Sequence, residues 1–335
     1  MEDFIKEMPK VELHLHIEGT LEPELAFALA ARNGKTLRYG SEAELREAYN
    51  FTNLQSFLDI YYEGMSVLLK EQDFYDLTWA YLTKAHSQGV RHAEIFFDPQ
   101  AHTERGVSFE TAVTGIHRAL EDASAKLNLT SKLIMCFLRH LSGEAAVEVL
   151  QQALPFKDWI VGVGLDSGEV GNPPERFTEA FKQARDAGFL AVAHAGEEGP
   201  PAYIKGALDE LHVQRIDHGI RCVDDPALVE RLRAKQVPLT VCPLSNVKLR
   251  AVDTMADHNL KKLLDLGLCA TVNSDDPAYF GGYMNENFLA VHKALTLSRA
   301  QVCQLSKNAI DATFLSTEEK AKLQAEFDKF AAEHP

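Results

Sequence analysis

A barrel of eight parallel strands alternating with helices, the (β/α)8 or TIM-barrel class of α/β fold, is what this 335-residue sequence predicts. Three observations predict it. Eight short apolar, β-branched runs recur along the chain with amphipathic stretches between them. From the second run onward they return at roughly the 25–40 residues that a strand–helix unit takes. Histidines and carboxylates gather where these runs end, the rim on which such barrels carry function.

The runs, in order, are Val11–Ile17, Val90–Phe97, Lys132–Leu138, Ile160–Leu165, Phe189–Ala195, Arg215–Gly219, Pro238–Cys242 and Cys269–Asn273. Between them Pro174–Ala187 reads as a helix, with Pro at its start, apolar residues at helical spacing and Gly188 in the capping position behind it. Asp225–Lys235 repeats the pattern, with Asp225 as N-cap and Pro226 at the first helical position. The first interval is longer. The residues from about 20 to 88 are too many for one crossover and read as the helices Glu22–Asn33, Ser41–Tyr49, Leu54–Leu69 and Asp73–Gln88. In them Phe51, Leu54, Phe57, Leu58, Tyr61 and Tyr62 form an apolar stripe at helical spacing. The stripe suits packing on the barrel, and because the insertion leaves the barrel at the end of strand one it is also placed to form a lid over the mouth. Asn285–Pro335 reads as closing helices with a polar tail. With no Gly-, Pro- or Ser-rich linker and no internal repeat, residues 1–335 are expected to form one domain.

The hydrophobic fraction of 46% and charged fraction of 25% are ordinary for a globular chain. A net charge of −15 argues against nucleic acid or an anionic membrane as partner, because both would repel it. Cys136, Cys222, Cys242, Cys269 and Cys303 are odd in number and form no CxxC pair, which fits a reducing cytoplasm better than a disulfide framework. The first residues lack the basic and apolar segments of a signal peptide, and no apolar run reaches membrane-spanning length. A soluble, cytoplasmic protein is therefore expected. Whether it forms a homo-oligomer is left open by the sequence.

The strand ends carry the chemistry. His14 and His16 stand two apart in the first strand, so they share one face, about 7 Å apart along it. With them come Glu18 after strand one, His194 and Glu197 at strand five, Asp217 and His218 at strand six, and Asn273, Asp275 and Asp276 at strand eight. Three histidines and a carboxylate suit a single zinc or similar divalent ion. Such a site leaves work for an acid and a base, and Glu197, across the turn from His194, is placed to reach a substrate rather than the metal. The HExxH pair of zinc proteases is absent, as is the H-x-E…P-C-x-x-C signature of cytidine-type deaminases. The remaining histidines (His86, His92, His102, His117, His140, His212, His258, His292 and His334) read as structural, with His140 nearest the rim.

Taken together, HLHIEG (His14–Gly19), HAGE (His194–Glu197), DHG (Asp217–Gly219) and NSDDP (Asn273–Pro277) resemble the motifs of the adenosine/adenine deaminase family of the amidohydrolase superfamily. They stand in the family's order and span nearly the whole chain. The resemblance implies a purine substrate and one zinc ion per chain, held by His14, His16, His194 and Asp275. It implies that Glu197 protonates N1, and that His218 with Asp275 orients and deprotonates the zinc-bound water that attacks C6. By the same resemblance Asp276 meets N7 and the Gly168 backbone N–H meets N3.

Glu18 stands where adenosine deaminases usually carry Asp against the ribose. The longer carboxylate would intrude there and could meet N9 of a free base instead. The stretches Ser167–Pro174 and Cys242–Leu249 also resemble the adenine deaminase branch. The expected reaction is therefore adenine to hypoxanthine and ammonia, as in purine salvage. Three alternatives stay open: deamination of adenosine or a modified adenine, hydrolysis of a cyclic amide, and a catalytically silent purine-binding barrel. Two metals in place of one would mark the cyclic-amide hydrolase, and no strand end offers the lysine that bridges such pairs.

Overall fold

The computed structural model describes residues 1–334. Its strands are β1 (Lys10–His16), β2 (Val90–Phe97), β3 (Thr130–Leu138), β4 (Ile160–Asp166), β5 (Leu190–Ala195), β6 (Arg215–His218), β7 (Leu239–Val241) and β8 (Ala270–Val272). Each pairs with the next in parallel, so the spatial order is the chain order. Helices separate them, as the alternation predicts. β7 and β8 are buried along their whole length, which explains why these runs read without a solvent face; β1 is buried throughout as well, yet alternates Val11, Leu13 and Leu15 with Glu12, His14 and His16.

β1 and β8 close the barrel through little backbone. A single bridge joins Leu15 to Asp275, with His16 N–H donating to Asp275 O at 3.0 Å and Asp275 N–H to His14 O at 3.0 Å. Side chains do the rest. Leu13 N–H donates to Asn273 Oδ1 at 2.8 Å, and Ser274 N–H to Glu12 Oε1 at 3.1 Å.

The barrel interior is layered by chemistry. Glu94 of β2 and Arg215 of β6 form a fully buried ion pair at 2.6 Å. The Arg215 guanidinium also lies over the Phe314 ring, 4.7 Å from its centre, so the chain's closing segment caps this end. Phe96, Ile134, Cys136 and Val192 pack together as a small apolar cluster inside the barrel. The Phe96 ring lies 5.0 Å from both His14 and His16, so this cluster underlies the rim.

The long interval after β1 folds as helices Pro23–Asn33, Glu42–Ala48, Leu54–Gly64 and Glu71–Ser87. Ser41 and Asn53 cap the second and third, accepting from Glu44 N–H at 3.2 Å and Ser56 N–H at 2.9 Å. The helix expected to run to Leu69 stops at Gly64 and continues as one tight turn, Met65–Val67. Leu54, Phe57, Leu58 and Tyr61 of the stripe are buried against Leu249, Tyr279 and Phe280, in a cluster separate from the main core. Tyr62 is half-buried.

Two other expectations change. Pro174–Ala187 divides into a 3-10 turn, Pro174–Phe177, and a helix, Thr178–Asp186. Three short helices were not foreseen: Pro99–Thr103, Pro243–Lys248 and Pro277–Phe280. Each starts on a proline soon after a strand end, with one residue between for Pro99 and Pro243 and four for Pro277. They are too short to show helical periodicity, and proline at the first helical position was their one signal. Met284–Leu295, Arg299–Asp311 and Thr317–Glu333 complete the chain as the closing helices expected.

Candidate active site

The strand ends bring the predicted residues to one place. His14 Nε2 lies 3.2 Å from Asp275 Oδ1, His16 Nε2 lies 3.5 Å from the same oxygen, and His16 Nε2 faces His194 Nε2 at 3.2 Å. His218 joins them: one atom each from His14, His194, His218 and Asp275 falls within 4.8 Å of the others.

The outer nitrogens of the histidines show what this cluster suits. The Thr240 hydroxyl donates to Asp217 at 2.8 Å, so its oxygen is left to accept from His14 Nδ1 at 2.9 Å. His14 Nε2 therefore turns a lone pair inward, and it is buried without a hydrogen-bond partner. His16 Nδ1 faces Asp166 at 3.4 Å, and His194 Nδ1 faces Asp217 at 3.7 Å. Ring nitrogens backed by carboxylates, with lone pairs aimed at a common point beside a carboxylate, form a donor set that fits a zinc-like cation.

Glu197 sits on the turn after β5, which another carboxylate shapes. Glu169 accepts from the backbone N–H groups of Gly196 (2.7 Å), Glu197 (3.1 Å), Glu198 (2.9 Å) and Gly199 (2.8 Å). Glu197 itself is buried, with Oε1 unpartnered and Oε2 3.5 Å from His218 Nε2. Burial, then the charge of Asp275, holds its carboxyl well above the usual range. Asp276 is likewise pushed well up by burial and by Asp275. Its Oδ1 is unpartnered, and a Cβ on Gly19 would lie 1.9 Å from it, so only glycine lets this carboxyl stand where it does. Burial and the neighbouring His14 push His218 down to about 3, leaving it neutral. His218 and Asp275 both hold left-handed backbone, φ 63° and 65°, a conformation that clusters at working sites.

Beside these groups lies a small cavity of about 40 Å³, walled in part by Phe57, Tyr61, Glu197, Asp275 and Asp276.

Two predicted residues stand differently. Glu18 is not among the residues walling the cavity. Its Oε1 accepts from Asp98 N–H at 3.0 Å and meets His102 Nε2 at 2.7 Å, while Oε2 is buried and unpartnered. Arg105 donates to His102 Nδ1 at 2.7 Å, which leaves the His102 proton on Nε2, directed at Glu18. Gly168 lies outside the wall too, half-buried in the loop after β4, with open space where a Cβ would project.

Several site residues escaped the sequence reading. Asp98 and Asp166 end β2 and β4 and line the cavity. Burial raises both, Asp98 well above the usual range with the negative Asp166 beside it. The strand-end rule that found the other ligands, applied to these two strands, would have found them. Asn246 and His258 lie buried behind His218, and the sequence presents His258 only as a structural histidine. His140 is exposed at the rim and meets Ser167 Oγ at 2.9 Å, which Tyr62 of the insertion also reaches at 3.0 Å.

The comparisons agree with this geometry. An adenine deaminase of Hahella chejuensis is 60% identical over 334 residues, covering 100% of both chains. The crystal structure of an adenine deaminase from Arthrobacter aurescens is 55% identical and superposes with a TM-score of 0.96, over 97% of this chain and 99% of that one. An amidohydrolase from Burkholderia ambifaria with bound Zn is 30% identical, with a TM-score of 0.90 over 99% of this chain and 93% of that one. The family profile described as adenosine deaminase matches residues 9–330, and the chain belongs to that family.

Proposed function

We propose that this protein is an adenine deaminase, converting adenine and water to hypoxanthine and ammonia. The observation that carries the reading is the pair of buried, proton-holding carboxyls, Glu197 beside His218 and Asp276 beside His16, on one His/Asp cluster. A ring nitrogen of a purine presents a lone pair, so the group that meets it has to bring a proton.

In this reading His14, His16, His194 and Asp275 hold one zinc ion per chain. Zinc bound there supplies the Lewis acidity that makes water a nucleophile at neutral pH. Glu197 donates its proton to N1 of adenine, which draws electron density from C6. Asp276, as the acid, donates to N7, and the Gly168 backbone N–H meets N3. His218 orients the water toward C6. The water oxygen bonds to C6 and the C6–N bond breaks; one water proton leaves with the amino nitrogen as ammonia, and the other restores the acid form of Glu197. Glu18 acts on the far side of the pocket through Asp98, whose backbone it grips, rather than by entering the wall. Residues 20–88 serve as a lid that excludes water, and residues 1–335 work as one catalytic unit. Five free cysteines suit a cytoplasmic setting. Among the described residues no helix is long and apolar enough to cross a membrane.

Ammonia release by the zinc-loaded protein, with adenine and adenosine offered at equal concentration, tests the proposal. Turnover of adenine with little or none of adenosine is expected. The reverse preference would overturn the free-base reading.

A further inference from the structure

Which nitrogen of His218 carries the proton is decided by two residues behind it, His258 and Asn246, the second of which also hydrogen-bonds Glu197. The chain of contacts starts from a group whose role is not in doubt. The backbone N–H of Leu260 points at His258 Nδ1, 3.1 Å away. A backbone amide can only donate, so Nδ1 accepts, and a neutral His258 bears its proton on Nε2. Burial keeps His258 neutral, pushing it down to about 4. Its Nε2 lies 3.2 Å from Asn246 Oδ1, the acceptor end of that amide. The other end of the amide, Nδ2, lies 3.2 Å from His218 Nδ1. Nδ2 can only donate, so His218 Nδ1 accepts, and the proton of neutral His218 sits on Nε2. That atom faces Glu197 Oε2 at 3.5 Å and Asp275 Oδ2 at 3.7 Å. Asn246, His218 and His258 are 0%, 1% and 3% exposed, so water does not compete for these bonds.

We propose that His258 and Asn246 are positioning residues which lock His218 in its Nε2–H tautomer, so that it meets the reaction space as a hydrogen-bond donor. His218 then orients through a proton it already holds and offers no lone pair on Nε2, so of the two groups expected to deprotonate the water only Asp275, 3.7 Å from that nitrogen, keeps a free acceptor. Residues that fix a working imidazole from behind commonly matter by about 10- to 100-fold. The inference rests on the placement of His218 at the reaction site, as proposed above, but its first test needs no substrate.

Long-range 1H–15N correlation on the histidine-labelled protein near neutral pH reads the tautomer directly, with His218 assigned by its loss in His218→Asn. Protonated-type Nε2 and lone-pair Nδ1 are expected; the opposite pattern overturns the proposal, whatever the substrate proves to be. In Asn246→Asp both oxygens accept, so the proton should move to Nδ1, and kcat for adenine should fall by about 10- to 100-fold with KM held within about 2-fold. A tautomer unchanged in Asn246→Asp would overturn the lock. His258→Gln keeps a donor for Asn246 and should retain the wild-type tautomer and rate, whereas His258→Phe should lose both. Equal loss in Gln and Phe would show a packing role only. Should a variant fail to fold, the wild-type spectrum still decides the tautomer.

Discussion

Glu197 illustrates how much of the chemistry rests on single protonation states. Its carboxyl is raised first by burial and then by Asp275, so the acid form persists where an exposed glutamate would have ionised. The proton is present below the raised value and lost above it, so kcat is expected to fall as pH rises through that value. Glu197→Gln should lower kcat by about 10²–10⁴-fold and abolish that alkaline limb; a Gln variant with an unchanged limb would assign it to another group. At this scale the sequence was legible wherever chemistry coincided with periodicity. His14 and His16 share a face because they stand two apart, and His194, Glu197 and Asp275 mark strand ends. Glu18 was legible as a carboxylate near the site, but its partner His102 lies 84 residues further on, and no local pattern announces that pairing. His258 was unreadable for a related reason. Its importance lies in what its two nitrogens touch, which spacing alone does not encode.

Elements place these residues, and the turn after β5 shows how. One carboxylate oxygen of Glu169 takes three backbone N–H groups and the other takes a fourth, so a single side chain from the loop after β4 fixes the turn that aims Glu197. Glu169→Gln keeps the shape but removes the charge and puts an NH2 against at least one donor. We expect it to cost about 1.5–3 kcal/mol of unfolding free energy, the scale of hydrogen bonds to a charged group, and to lower kcat as Glu197 loosens. Denaturant unfolding beside ammonia release checks both, and an unchanged unfolding midpoint would contradict the first. The strands were legible to within a few residues at their ends. Short helices such as Pro243–Lys248, which delivers Asn246, were not. They occupy a single turn or two, and only the leading proline distinguishes them from loop.

Across the whole molecule, the fully buried Glu94–Arg215 pair ties β2 to β6 through the barrel interior. Burial alone would raise Glu94, but Arg215 overrides it and holds the carboxyl down at about 2. A depressed carboxylate contributes stability that is present above its unfolded value and lost as pH falls toward the folded one, so this contribution should persist to strongly acid conditions. Arg215→Met leaves Glu94 without its buried guanidinium, facing only His92 and the Phe314 N–H, with an expected loss of about 3–5 kcal/mol; adding Glu94→Leu should recover much of it. Thermal or denaturant unfolding of the single and double variants measures this, and equal loss in both would mean that Arg215 acts through packing. The closed barrel was legible because eight runs at regular spacing leave few other architectures. The polar interior was not, since a lone Glu or Arg within an apolar run does not reveal which residue faces it.

The join between β1 and β8 has a consequence for a chain still leaving the ribosome. His14 and His16 emerge early, yet Asp275, whose backbone completes the wall, belongs to a stretch about 260 residues later. A growing chain can hold most of its strands and many of its histidines and still have an open gap where the reaction would occur. Closing that gap brings the earliest and latest parts of the site together in one event. Activity should therefore arrive all at once, near the end of synthesis, and premature termination anywhere before residue 275 should leave an inert product.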